Sequence, residues 1–189
     1  MTKEIEHKIL VCKEEYERLL SELSKQFLCY NYNQTNYYYD TENLSLYNGH
    51  ETLRIREKKE CLCLEYKYNK KFIGSTRVCE ENSHPVKGIP KKLEKEDTRK
   101  FGLPDANYIL LGKLETNRSD FILSEGVLSL DKNEYLGYVD YEVEVEIENL
   151  SLRLASQVLV SDKMNGEVSA NGKYSRFISK YLENYKNDK

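Results

Sequence analysis

In the stretch EIEHK, the charged residues Glu4, Glu6 and Lys8 alternate with Ile5 and His7. Residues two apart on a strand point the same way, so the two carboxylates and the ammonium share a face, with Ile5 and Ile9 behind them. The division recurs along the chain. Thr52, Arg54, Arg56 and Lys58 are backed by Leu53 and Ile55, and Glu65 and Lys67 by Leu62, Leu64 and Tyr66. Arg118 lies on the side of Thr116, and Asp140, Glu142, Glu144, Glu146 and Glu148 are backed by Val143, Val145 and Ile147. For any one strand alone, a wet outer sheet face is the simpler reading. Across strands the residue types segregate: arginines collect on one strand and carboxylates on two others. Arginine forks and ammonium groups suit phosphate oxygens, whereas clustered carboxylates suit a hard cation such as Mg²⁺ or Mn²⁺ that bridges to those oxygens. If helices cover the apolar faces, the charged faces look inward, where each unpartnered charge would cost several kcal/mol. A polyanion together with a divalent metal satisfies both sets.

The elements that must position these residues are mostly strands. EIEHKILV reads as a strand, followed by a helix over KEEYERLLSELSKQFL with Tyr16, Leu19, Leu20, Leu23 and Phe27 as one apolar stripe. NQTNYYYDT reads as a strand and ENLSLYNGH as a turn-rich connection. ETLRIREK and CLCLEYKYN are strands joined by the short turn KKE, and GSTRVCEE is another. PKKLEKEDTRKFG, with Pro90 first and Gly102 last, predicts a surface helix. NYILLGKLETNR, SDFILSEG, VLSLDKNEY and GYVDYEVEVEIEN read as strands, and SLRLASQVLVS and KYSRFISKYLENY as helices. The result is about eight strands with short turns and a few outer helices, hence an antiparallel sheet that is closed or strongly curved.

The 189 residues suit one domain, and no repeat or composition break divides them. A net charge of -3 argues against a general nucleic-acid binder. The charged N-terminus and the lack of a long apolar run predict a cytoplasmic chain without membrane partners. The five cysteines are an odd count without CxxC spacing, and Cys61 and Cys63 read as small strand residues rather than ligands. His7, His50 and His84 are given no catalytic role. The tyrosines of YNYNQTNYYYD read as sheet packing in preference to a base-stacking platform.

EIEHK also matches the pattern ExExK, and the pieces after it come in a recognisable order: YYDT at 38–41, LRIR at 53–56, strands carrying Lys67 and Arg118, LSLD ending at Asp131, and DYEVEVE at 140–146. In these pieces the chain resembles the CYTH domain, also called the triphosphate tunnel metalloenzyme family, and is similar to its small bacterial single-domain branch. The resemblance implies an α+β fold in which eight antiparallel strands close into a barrel, with flanking helices, over residues 1–189. The tunnel of that barrel would hold a triphosphate and one or two divalent ions, Mg²⁺ or Mn²⁺. Carried over by motif, Lys8, Arg54, Arg56, Lys67 and Arg118 bind phosphate, while Glu4, Glu6, Glu144 and Glu146 hold metal or position water. Glu4, Glu6, Lys8 and Glu144 then form the catalytic set. The implied activity is metal-dependent hydrolysis of tripolyphosphate or a small organic triphosphate. The alternatives are an adenylyl cyclase making cyclic AMP from ATP in the same tunnel and a non-catalytic binder of polyphosphate or nucleotide. Many members carry Lys-x-Arg where this chain has Thr116 and Arg118, and Lys113 has the wrong parity to substitute. Glu80, Asp131 and Glu142 are further acidic candidates. Lys173 and Arg176 read first as a solvated helix start, with closure of one tunnel end as the alternative.

Overall fold

Alternation of polar and apolar residues dominates this chain, and it folds accordingly into strands that bury one side. A computed structural model describes residues 2–73, 76–123, 126–146, 167–168 and 171–187. In chain order the elements are β1 (Thr2–Val11), α1 (Lys13–Leu23), β2 (Cys29–Asp40), α2 (Ser45–Asn48), β3 (Thr52–Lys58), β4 (Cys61–Ile73), β5 (Thr76–Pro85) and β6 (Lys92–Leu93). Then come α3 (Lys95–Thr98), a 3₁₀ turn (Arg99–Phe101), β7 (Tyr108–Leu123), β8 (Gly126–Tyr135), β9 (Tyr138–Glu146), β10 (Glu167–Val168) and α4 (Lys173–Asn187). The antiparallel sheet runs β10-β1-β5-β4-β3-β2-β7-β8-β9, with β6 added to β7. β1 pairs with β5 over Thr2–His7 and with β9 over Glu6–Val11.

The apolar face carries two clusters. α1 lays Tyr16 and Leu19 on Ile9, Phe121, Leu128, Leu130, Val143 and Val145. Leu46 of α2 and Leu103 pack with Tyr39, Leu53, Ile55, Leu64, Tyr66 and Tyr108. The third cluster lies on the other face, where Tyr174, Phe177 and Ile178 of α4 meet Tyr38, Leu114 and Tyr135. Gly112 makes this docking close: a Cβ there would lie 2.9 Å from Phe177 Cζ. Asp40 ties the same end together, accepting from the backbone N–H groups of Leu46 and Tyr47 and from the Tyr174 hydroxyl.

Several local expectations are corrected. α1 stops at Leu23, and Phe27, placed in its stripe from sequence, lies beyond the helix and is exposed. The helix expected over 90–102 becomes β6, one turn of helix and a 3₁₀ turn, although Gly102 does end it in a left-handed conformation. That segment has too few apolar residues to make a stripe, and Lys92 and Leu93 gain sheet bonds opposite Ile109 and Tyr108 instead. The expected break before Ser119 is absent because β7 continues to Leu123. Ser119 and Asp120 look like turn residues but are used for contacts, Ser119 donating to Asn31 and Asp120 accepting from Tyr32 and Ser129. Ser45–Asn48, within the expected turn region, forms one helical turn. The helix expected at 151–161 lies outside the described residues.

Candidate functional site

The polar face is charged and buried, and its residues form two walls. On β3 and β4, Arg54 is directly opposite Glu65, and Lys67 comes two residues later on the same side. Arg54 Nε donates to Glu65 Oε2 at 2.7 Å, and Arg56 Nη1 lies 3.6 Å from the other oxygen. Lys67 Nζ reaches Glu81 on β5 at 2.9 Å, and Arg56 Nε donates to Asn36 Oδ1 at 3.2 Å. Burial alone would raise the Glu65 carboxyl, but Arg54 and Arg56 outweigh it and hold it below its ordinary 4.5. Burial, then the like charge of Arg54, pushes the Arg56 guanidinium below its ordinary value.

The second wall spans β1, β7, β8, β9 and α4. Register alone sets Arg118 opposite Asp131, Asp131 opposite Glu142, and Glu144 opposite Lys8. Arg118 binds Asp131 as a fork, at 2.7 and 2.6 Å, and also donates to Glu144 at 3.0 Å. Lys8 Nζ donates to Glu144 at 3.1 Å. From α4, Lys173 Nζ sits 2.8 Å from Asp131, 2.6 Å from Glu142 and 3.3 Å from Glu144, while Arg176 bridges Asp140 and Glu142. Burial works to raise the Glu142 carboxyl, but Lys173, Lys8 and Arg176 prevail and lower it to about 2. Glu144 is likewise lowered well below 4.5, with Lys8, Arg118 and Lys173 overcoming its burial.

Asp131, Glu142 and Glu144 each offer an oxygen within 4.8 Å of the others. Three carboxylate oxygens are the donors that a hard divalent cation takes. The position already draws positive charge, because the Lys173 ammonium lies among those same oxygens. The three carboxylates could hold a divalent metal if it took the place of the Lys173 ammonium.

The structure brings together Lys8, Arg54, Arg56, Lys67, Arg118 and Glu144 on this face. The side chains of Glu4, Glu6 and Glu146 lie outside the described residues; their backbones pair Glu4 with Cys79 and Glu6 with Glu146. Glu80 is not on this face, since it pairs with Tyr68 and accepts from the exposed Asn69. Thr116, where a lysine was expected, is buried and donates to Asn133. Lys113 pairs with Glu115 at the surface, as its parity requires.

Sequence reasoning preferred the wrong reading of Lys173 and Arg176, whose heads are drawn into the carboxylates. The signal was present in Tyr174, Phe177, Ile178 and Tyr181, a stripe that must dock and that carries its neighbours inward. Glu81, Asn36 and Tyr38 were not singled out for the site. Their roles depend on neighbours far along the chain, which no local spacing reveals.

Comparison with known proteins agrees with this geometry. The CYTH domain model matches residues 2–167. YjbK of Bacillus subtilis (strain 168), provisionally named a triphosphatase, is 30% identical over 149 residues, covering 76% of each chain. A structure from Bacillus halodurans, provisionally named an adenylate cyclase, shares 26% identity at a TM-score of 0.69, over 94% of this chain and 99% of that one. HpAC1 from Hippeastrum, a provisional adenylyl cyclase described as having dominant triphosphatase activity, shares the fold at a TM-score of 0.73. It is 22% identical, over 93% of this chain and 95% of that one. With its charged sheet face and a match of this extent, the chain belongs to the CYTH-domain family.

Proposed function

We propose that this protein is a divalent-metal-dependent hydrolase of small-molecule triphosphates. In this reading residues 1–189 form one domain, its eight long strands close into a barrel, and the charged face is the lining of a tunnel. The pairing of β1 with both β5 and β9 supports closure. The observation that carries the activity is the convergence of Lys8, Arg54, Arg56, Lys67 and Arg118 on one buried face beside Asp131, Glu142 and Glu144. Such an array matches a phosphate chain plus a metal, and the triphosphatase designations of the relatives point the same way.

The basic side chains would bind the phosphate oxygens and offset the charge that spreads over them as the terminal bond breaks, so catalysis is mostly positioning and electrostatics. Asp131, Glu142 and Glu144 would hold Mg²⁺ or Mn²⁺, with Glu4, Glu6 and Glu146 as further carboxylates for metal or water. When bound, the ion supplies neutralisation of phosphate oxygens and orientation of the attacking water. Glu144 lies beside Lys8 and Arg118, which keep it ionised, so it would accept a hydrogen bond from the attacking water and orient it. No covalent nucleophile is required.

The test is phosphate release from tripolyphosphate with Mg²⁺ or Mn²⁺, comparing wild type with Glu6→Gln and Arg56→Ala. Wild type should turn over, both variants should slow, and a chelator should stop the reaction; equal rates in all three proteins would reject these assignments. With ATP, free phosphate is expected, and accumulation of cyclic AMP would assign the tunnel to cyclisation instead.

A further inference from the structure

Three buried groups on the basic wall have donors without acceptors among the described residues: Asn36 Nδ2, the Tyr38 hydroxyl and Arg54 Nη2. They are neighbours. Tyr38 is directly opposite Arg54 across β2 and β3, and Asn36 is opposite Arg56, so all belong to one face. Two of them are already held through another atom. Asn36 Oδ1 accepts from Arg56 Nε, which fixes the amide with its NH₂ turned the other way, and Arg54 Nε is held by Glu65. None of the three residues is more than 7% exposed, so bulk water does not serve the idle donors, and an acceptor reaches them through a small shift of the side chains around them. Each unmet buried donor costs about 1–3 kcal/mol, and three side by side are a sign of a missing acceptor.

The acceptor that suits an amide NH₂, a phenol and a guanidinium together carries several oxygens and negative charge, as a phosphoryl group does. The position of this trio gives it direction. The Tyr38 ring lies 5.0 Å from the ring of Tyr174 and 5.1 Å from that of Phe177, and Phe177 fills the space above Gly112. α4 thus blocks the face immediately beyond the trio. A phosphate chain lying against Arg54 can extend away from α4 but not past it.

We propose that Asn36, Tyr38 and Arg54 form the subsite for the unesterified terminal phosphoryl group, so that any organic substituent lies at the other end of the chain. This rests on the triphosphate reading and adds Asn36 and Tyr38 as binding residues. It makes the ligand a chain with one free end; a triphosphate esterified at both ends is excluded.

Binding of inorganic tripolyphosphate, measured by calorimetry in chelator so that turnover plays no part, tests the assignment in wild type, Tyr38→Phe and Asn36→Asp. Tyr38→Phe keeps the ring against α4 and removes an idle hydroxyl, so the free variant should melt no lower than wild type yet bind about tenfold more weakly. Asn36→Asp keeps the contact to Arg56 and replaces a donor with a negative charge, so its loss of binding should be larger. A dinucleoside triphosphate should fail to compete. Wild type that binds while both variants bind equally well, or a dinucleoside triphosphate that competes fully, would overturn this subsite and leave the triphosphate reading standing. Wild type that binds tripolyphosphate neither in chelator nor with Mg²⁺ or Mn²⁺ present overturns both.

Discussion

The two walls of the charged face use the same residue types in different proportions. On the wall of β8, β9 and α4, the carboxylates of Asp131, Asp140, Glu142 and Glu144 meet the cations of Lys8, Arg118, Lys173 and Arg176, one for one among the described side chains. On the wall of β3 and β4, Arg54 and Arg56 share Glu65 and Lys67 reaches Glu81, and idle donors remain among the described residues. A buried cluster whose charges match can stand as structure, whereas buried donors left unmet keep a demand for an acceptor. On the proposed reading the first wall holds the fold and could take a cation, and the second would take phosphate.

The largest expected effect attacks the matched wall. Glu142→Ala takes one carboxylate from Lys173 and Arg176, which keep Asp131, Glu144 and Asp140, and leaves the buried cluster one negative charge short, so it should lower stability by about 3 kcal/mol in urea denaturation. The same carboxylate sets an acid limit. Its value is depressed from 4.5 to about 2, so its contribution is complete above about pH 4.5 and disappears as the pH falls toward 2. Stability measured from pH 6 down to 2 should therefore fall more steeply in wild type than in Glu142→Gln; parallel curves would show that this carboxylate is not held by its cations.

On the wall of β3 and β4 the effect should move from stability to binding. Arg56 is partly exposed and 3.6 Å from Glu65, so Arg56→Ala should cost about 1 kcal/mol or less in folding. Its kcat/KM for tripolyphosphate should nevertheless fall about 100-fold. A variant that is clearly destabilised yet keeps its activity would erase the contrast between the walls.

Gly112→Ala probes the docking of α4. Its φ of +153 and the contact with Phe177 both resist a side chain, so a loss of about 1–3 kcal/mol is expected, with weakened triphosphate binding because α4 shifts. The smallest effect belongs to the exterior: Arg18 pairs with Glu15 and Glu22 on the exposed side of α1, and Arg18→Ala should change stability by less than about 1 kcal/mol.

Much of this site was legible before any fold was known. Parity put Arg54, Arg56 and Lys67 on one side of their strands and Glu142 and Glu144 on one side of theirs, and the structure keeps both sets. The reading was weaker where polar residues had two uses. Ser119 and Asp120 looked like a turn, yet they sit inside β7 because contacts to Asn31, Tyr32 and Ser129 outweigh local preference. Lys173 looked like a solvated helix start, yet a docked apolar stripe carries it among three carboxylates.

By itself the sequence determined which residues share a strand face, because a period of two is a property of the extended backbone. It also determined that one face is apolar and the other charged. Only the tertiary structure decided which charges meet. Lys8 finds Glu144 and Tyr38 finds Arg54 through register, while Asp131 finds Lys173 through the docking of α4. Those pairings arise from strand order and helix packing over long separations, where no spacing along the chain records the distance across it.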